Sequence, residues 1–341
     1  MEANTVNRNG SSEGARVPLA LFAVECSSKK RLLFDVSSGN IRGISSTLFP
    51  DAFVEFENCG WLLMVRHKPF CFQEQIVFLV HPSTGRRIDL PVLQSRNKGY
   101  FVFYVDPRGT PLVVAFVQIM SVVPTVHVTC PGDVYWCIHK HNLSEAMCRP
   151  IDNTLIMDVA LIGTQVVCAE FLGQILIFDI TEMTWRTASC PEWSIKDAHY
   201  LVASNGEVVI VSYLRATVGS AFKFFKLDME ALEWSLLDGQ KLDDTSWFLC
   251  KGQSIRVKEE GKRKVYTFDP RHCSGLVTES SDGKKETMYF TSTSGLPSLK
   301  TITNIYAYDL VAGTVETVIP ASIVTEVRRW IQPSIFASPT K

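Results

Sequence analysis

The stretch LIFDITEMTWRTA (176–188) decides the fold. A short apolar strand ends at Asp179, turn residues follow, and a bulky residue, Trp185, opens the next strand six positions after the aspartate. A carboxylate in that place can accept the N–H groups of a tight turn, and the bulky residue packs across the strand pair. The arrangement recurs in LLFDVSSGNIRGI (32–44), FKLDMEALEWSLL (225–237) and AYDLVAGTVETVI (307–319). Their anchors are Asp35, Asp228 and Asp309, and their bulky residues are Ile41, Trp234 and Val315. FLVHPSTGRRIDL (78–90) is a fifth copy with His81 in the anchor place. Three copies put glycine four residues after the anchor (Gly39, Gly85 and Gly313), where a positive φ would close the return.

Anchors 35 and 81, like 179 and 228, lie about 46 to 49 residues apart, and the gap from 81 to 179 is about two such steps. Outside the repeats the apolar period is also two: LALFAV, IVFLV, VVIVSY and AFKFFKL are short, β-branched or aromatic, and bounded by turn residues. A period of roughly 40–50 residues with about four strands each specifies a β-propeller, all-β and antiparallel. Six blades are expected, at about 17–48, 52–92, 99–148, 154–190, 198–238 and 245–320. The alternative of seven, which takes VYTFDP (265–270) as another anchor, fails because no clean returning strand follows Pro270. RHCSGLVTESSDGKKE then reads as an insertion in blade six. The first blade has only three strands, so EVRRWIQPSIF (326–336), with Trp330, Ile331, Ile335 and Phe336, is expected to close the ring beside LALFAV (19–24). The best helical stretch is the short HNLSEAMC (141–148). The expected organisation is a polar tail over 1–16, the propeller over 17–336 and a short tail over 337–341.

Composition narrows the function classes. The 341 residues carry a net charge of −1, 46% are hydrophobic and 20% charged. That apolar content excludes a disordered chain, and the absence of a basic excess argues against bulk binding to nucleic acid or an acidic membrane. PLVVAFVQIMSVVPTVHV (111–128) carries Gln118, Ser121, Pro124, Thr125 and His127, and reads as two buried strands rather than a membrane span. The polar start has no apolar signal core, and the ten cysteines form no CxxC pair, so reduced thiols in the cytoplasm or nucleus are expected. The sequon at Asn142–Ser144 would go unused there.

GWLLMV (60–65), VFLVHPSTGRRIDLPVL (77–93), CPGDVYW (130–136), DDTSWFLCKGQSIRV (243–257), MYFTST (288–293) and RRWIQPS (328–334) occur in that order. Together they resemble the plant F-box-associated β-propeller family of the KIB type, from about Pro18 to Ser334. The resemblance implies a propeller that recognises a protein substrate, with an F-box ahead of it docking into an SCF ubiquitin ligase. The 16 polar residues before the first strand contain no F-box-like helical start, so no binding to a Skp1-type adaptor is expected. The stretch KEEGKRKVYTFDPRHCSGLVTESSDGKKE is longer and more charged than the family's usual link. Kelch double-glycine and WD40 signatures are missing.

No phosphate-binding loop, GxSxG or HExxH occurs, and no catalytic residue, cofactor or metal is expected. Cys137, His139 and His141 alternate along one strand as a metal trio would, but without an evident fourth ligand they read as polar residues of an edge strand. Asp35, Asp179, Asp228 and Asp309 read as turn anchors rather than a carboxylate set, and Trp185 and Trp234 as hairpin packing. Lys262–Lys264 reads as a solvated loop. In a propeller the tight turns share one face, while the second-to-third-strand and inter-blade loops share the other. The loops expected on that second face, 66–75, 93–99, 189–197, 213–221 and 292–304, carry Arg66, His67, Phe70, Phe72, Arg96, Lys98, Trp193, Arg215 and Lys300. Arginine and aromatic side chains on rigidly held loops are the usual anchors of protein recognition. The expected function is therefore a monomeric, non-enzymatic propeller binding a protein partner. The rival is a ligand-binding or enzymatic propeller using acidic or histidine groups at its central channel.

Overall fold

The structure is a computed structural model, which describes residues 17–23, 31–44, 52–68, 71–95, 97–141, 154–189, 198–213, 222–237, 242, 244–268, 305–312, 314–318 and 327–332. These residues form six sheets arranged as a propeller, antiparallel except for one pairing in the sixth, with no α-helix among them. All of the helical candidate 141–148 but His141, the insertion 271–286, Gly313, Ile335 and Phe336 lie outside the described residues.

Blade one contains β1 (Leu19–Ala23), β2 (Arg31–Asp35) and β3 (Ile41–Ile44). Blade two contains β4 (Phe53–Asn58), β5 (Trp61–Lys68), β6 (Cys71–His81) and β7 (Arg86–Asp89), with β8 (Leu93–Gln94) returning onto β6. Blade three contains β9 (Gly99–Val105), β10 (Pro111–Gln118), β12 (Thr125–Thr129) and β13 (Cys137–Lys140), while β11 (Met120–Ser121), between β10 and β12 in the chain, pairs into the next blade. Blade four is built from β14 (Thr154–Ile162), β15 (Gln165–Glu170), β16 (Gln174–Asp179) and β17 (Thr184–Ser189). Blade five holds β18 (Ala198–Ser204), β19 (Glu207–Tyr213), β20 (Phe222–Leu227) and β21 (Trp234–Leu236). Blade six holds β22 (Thr245–Leu249), β23 (Ile255–Lys258), β24 (Arg263–Phe268), β25 (Ile305–Asp309) and β26 (Thr314–Thr317). The last strand, β27 (Val327–Ile331), pairs with β1 in the register Leu19↔Ile331 to Ala23↔Val327, so the C-terminal segment closes the ring as its apolar content requires. The 111–128 segment is two strands, β10 and β12, and no helix among the described residues is long and apolar enough to cross a membrane.

The repeat corresponds to one turn geometry. Asp35 Oδ1 accepts the Ser37 N–H at 2.9 Å, and Asp179 Oδ1 accepts those of Thr181 and Glu182 at 2.9 and 3.1 Å. Asp228 does the same for Glu230 and Ala231, and Asp309 for Val311 and Ala312, each at 2.9 Å. The residue four after the anchor is left-handed: Gly39 at φ 70°, Gly85 at 69°, but also Met183 at 56° and Leu232 at 58°. The residue at plus six lies opposite the one before the anchor, as in Phe178↔Trp185 and Leu227↔Trp234. Trp185 packs against Phe178 with ring centroids 4.8 Å apart and the planes tilted by 47°. In the fifth copy Arg87 takes that place, its guanidinium 4.0 Å from the Phe78 ring centre.

Strand directions define two ends. The Asp-anchored turns and the β4–β5, β9–β10, β14–β15 and β18–β19 turns share one end, the turn face, as the Thr164 hydroxyl bound to Asp179 Oδ2 (3.0 Å) illustrates. The bulk of the apolar side chains pack between blades, in clusters such as Phe101, Phe103, Phe116 and Phe178 across blades two to four and Phe34, Phe248 and Trp330 at the closure.

Blade six departs from the simple repeat. Strand β22 runs parallel to β24, and β24 runs antiparallel to β25, which ends at the Asp309 turn. β22 therefore enters from the turn face, and β23 returns beside β18 through the parallel Val202↔Ser254 bridge. The hairpin thrusts its tip, residues 250–254, into the centre of the ring. Part of the segment read as a charged link is accordingly β24, because Val265 is wholly buried while Lys264 pairs with Glu316 at 3.1 Å on its outer side. Lys262–Lys264 is likewise a turn residue followed by strand residues.

Candidate functional site

The hairpin tip touches each of the other five blades. Asp158 of β14, 0% exposed, accepts the backbone N–H groups of Gly252 (2.6 Å), Leu201 (2.8 Å) and Val159 (2.9 Å). Lys251 Nζ donates to the His199 carbonyl and lies 4.8 Å over the Tyr200 ring. The Gln253 amide clamps Glu57 of β4, accepting its N–H at 3.0 Å and donating to its carbonyl at 2.8 Å. Arg329 of β27 donates to the Lys251 carbonyl at 3.4 Å and pairs with Glu55 at 2.6 Å. Gly252 sits at φ +82°, and a Cβ there would lie 2.9 Å from the Tyr100 ring of β9. Burial pushes the Asp158 carboxyl up, opposed by Lys251 and its three N–H donors.

Beside the tip, on the turn face, opens a funnel of about 270 Å³ whose wall includes Glu57, Cys59, Ser204, Gln253, Arg256 and Gln332. Glu57 Oε2 accepts the Gln332 N–H at 2.8 Å. Burial raises the Glu57 carboxyl to about 7, and both burial and the Glu57 charge raise the Cys59 thiol. Arg256 pairs with Glu207 at 3.0 Å, and Glu207 also receives Lys226 at 2.7 Å, which holds its carboxyl low.

Of the residues expected to contact a partner, Arg66 is exposed on β5 and Lys98 is exposed just before β9. His67 and Phe72 fall on β5 and β6 with their side chains outside the described set. Phe70, Arg96, Trp193, Arg215 and Lys300 lie outside the described residues. The segments read as loops 66–75 and 93–99 are partly strand: β5 runs on to residue 68, β6 begins at 71, and Leu93 is wholly buried where β8 pairs with β6. The trio, with Cys137 and His139 on β13 and His141 just past its end, does not converge: His139 packs on Phe178 (5.5 Å), His141 on Trp185 (5.2 Å), and Cys137 is exposed. Among the described residues no group of three or more His, Cys, Asp or Glu is placed to hold a metal ion. The sequence reading missed the central cluster of Asp158, Glu57 and Gln253. Isolated polar residues at the ends of apolar strands were its only trace.

The family model described as the KIB1-4 beta-propeller matches residues 33–289. No curated protein sequence matches. Among solved structures, the Myceliophteria thermophila Cps50 (Swd1) β-propeller domain aligns at 9% identity and TM-score 0.43, covering 89% of this chain and 96% of that one. The putative 6-phosphogluconolactonase from Bacteroides uniformis aligns at 10% identity and TM-score 0.41, covering 92% of this chain and 99% of that one.

Proposed function

The chain belongs to the KIB1-4 β-propeller family, and from that premise we propose that it is a non-enzymatic propeller that binds a protein partner through its loop face. The observation that supports this reading is the occupied channel. The chain's own hairpin tip fills the centre, and the carboxyl buried there, Asp158, is consumed by three backbone N–H groups. A channel enzyme would keep such groups for a substrate. A recognition scaffold gains from spending them, because a locked ring holds its rim loops still and lowers the ordering cost of binding. The exposed cations Arg66 and Lys98 belong to the surface assigned to the partner.

On this reading the protein resembles the substrate-recognition part of an F-box receptor and works in the cytoplasm or nucleus as a monomer. These 341 residues alone bring no Skp1-type adaptor. Direct titration with purified adaptor tests that part, and micromolar binding would refute it. The partner-binding part is tested by reversing charge at Arg66→Glu and Lys98→Glu and measuring partner capture.

A further inference from the structure

We infer that the funnel on the turn face is a binding site for a single organic cation, an alkylammonium or guanidinium group, held against Glu57. This goes beyond the loop-face reading and is independent of it, since the funnel opens at the opposite end of the ring. Among the described residues four carboxylates stand in or beside the channel, and three are compensated. Glu55 has Arg329 at 2.6 Å, Glu207 has Arg256 at 3.0 Å and Lys226 at 2.7 Å, and Asp158 has three backbone donors with Lys251 nearby.

Glu57 is only 7% exposed and receives one backbone N–H, that of Gln332. Among the described residues no basic side chain forms an ion pair with it. Its carboxyl lies at the funnel wall, because Gln332 lines the same cavity, and its backbone is fixed from both sides by the Gln253 amide. A desolvated carboxylate with so little compensation is stabilised strongly by an incoming cation. The rest of the wall suits an alkyl stem followed by a hydrogen-bonding head: Phe56 and Ile255 are apolar, Asn58 and Ser204 polar. Arg256 on the wall shares the single negative charge of Glu207 with Lys226. Among the described residues no group of three or more His, Cys, Asp or Glu is placed to hold a metal ion, and the cation the wall suits is organic.

The test is calorimetric titration of the full chain at about pH 8, where Glu57 is ionised. The probes are putrescine and blocked tripeptides with a central lysine, arginine or norleucine. The cationic probes should bind and the norleucine peptide should not. Glu57→Gln should weaken binding at least about tenfold. Ser204→Lys, which places an ammonium on the wall and leaves Glu57 intact, should block the probes in a chain with an unchanged melting curve. Tighter binding of putrescine would identify a free amine as the source, and tighter binding of the peptides a side chain of another protein. The inference is overturned if no cationic probe binds the folded chain, or if Glu57→Gln keeps the wild-type affinity.

Discussion

The Asp158 carboxylate of blade four accepts the backbone N–H of Gly252, 94 residues further along the chain, at 2.6 Å. The contact ties the tip of the blade-six hairpin to the wall of the ring. Asp158→Ala would leave three buried N–H groups without an acceptor, each costing about 1–3 kcal/mol. A loss of about 3–5 kcal/mol in chemical denaturation is expected. Gly252→Ala should cost about 2–3 kcal/mol, through its positive φ and the Tyr100 ring 2.9 Å from the added carbon. Because both changes free the same tip, the double variant should lose less than the sum. Full additivity would show that the tip is not held as one unit.

Ring closure rests on β27. Trp330 is 0% exposed, meets Phe248 edge-on at 5.1 Å and donates to the Leu249 carbonyl at 3.2 Å. Trp330→Ala should cost about 3–5 kcal/mol, a large part of a margin of about 5–15 kcal/mol. Truncation after Thr325 should aggregate or melt early, whereas truncation after Ser334 should behave like the full chain. Equal melting of the two truncations would remove the closing role.

Glu57 makes stability depend on pH in an unusual direction. Its carboxyl rises from 4.5 to about 7 on folding, so the folded state holds the proton more tightly. Its contribution is fully present below about pH 4.5 and is lost as pH rises through about 7, each tenfold difference in proton affinity between the two states being worth roughly 1.4 kcal/mol. The turn aspartates act oppositely: Asp35, Asp179, Asp228 and Asp309 have lowered values and favour the folded state above the usual carboxylate range. The comparison must therefore be between variant and wild type. Glu57→Gln should be more stable than wild type by about 3–3.5 kcal/mol above pH 7, converging near pH 4.5. Parallel curves across that window would mean that Glu57 is not buried as an acid.

Met183 holds a left-handed backbone at φ 56° in the place where three other copies of the turn have glycine, and it is 38% exposed. Met183→Gly should stabilise the protein by about 1 kcal/mol, read as a higher denaturation midpoint. Leu232, also left-handed, packs on the core beside Trp234, so Leu232→Gly should gain little or nothing. A loss at position 183 would show that its side chain contributes more than its backbone costs.

The repeat made most of the ring legible in advance, because period, anchor and plus-six residue are local and each blade spells them again. Closure was legible for a related reason: Trp330 and Ile331 are too apolar for a tail, and blade one lacked a strand. The central hairpin was not legible. TSWFL and IRVK have the same alternation whether a strand enters from one end of the ring or the other, and direction is set by contacts such as Asp158 with Gly252 that lie far apart in sequence. The funnel was hidden likewise, since Glu57 is an ordinary strand-end residue until Gln253 and Gln332 are brought beside it from residues about 200 or more away.

Capture of partners from an extract of the source tissue, quantified by mass spectrometry, bears on the loop-face assignment without an intermediate. The bait is the folded full chain, compared with the Arg66→Glu/Lys98→Glu double variant and with Met183→Gly as a turn-face control. A protein retained by wild type and by the control but depleted by the double variant is the expected result. Retention of the same proteins by all three, or specific loss with the turn-face control alone, would contradict the assignment.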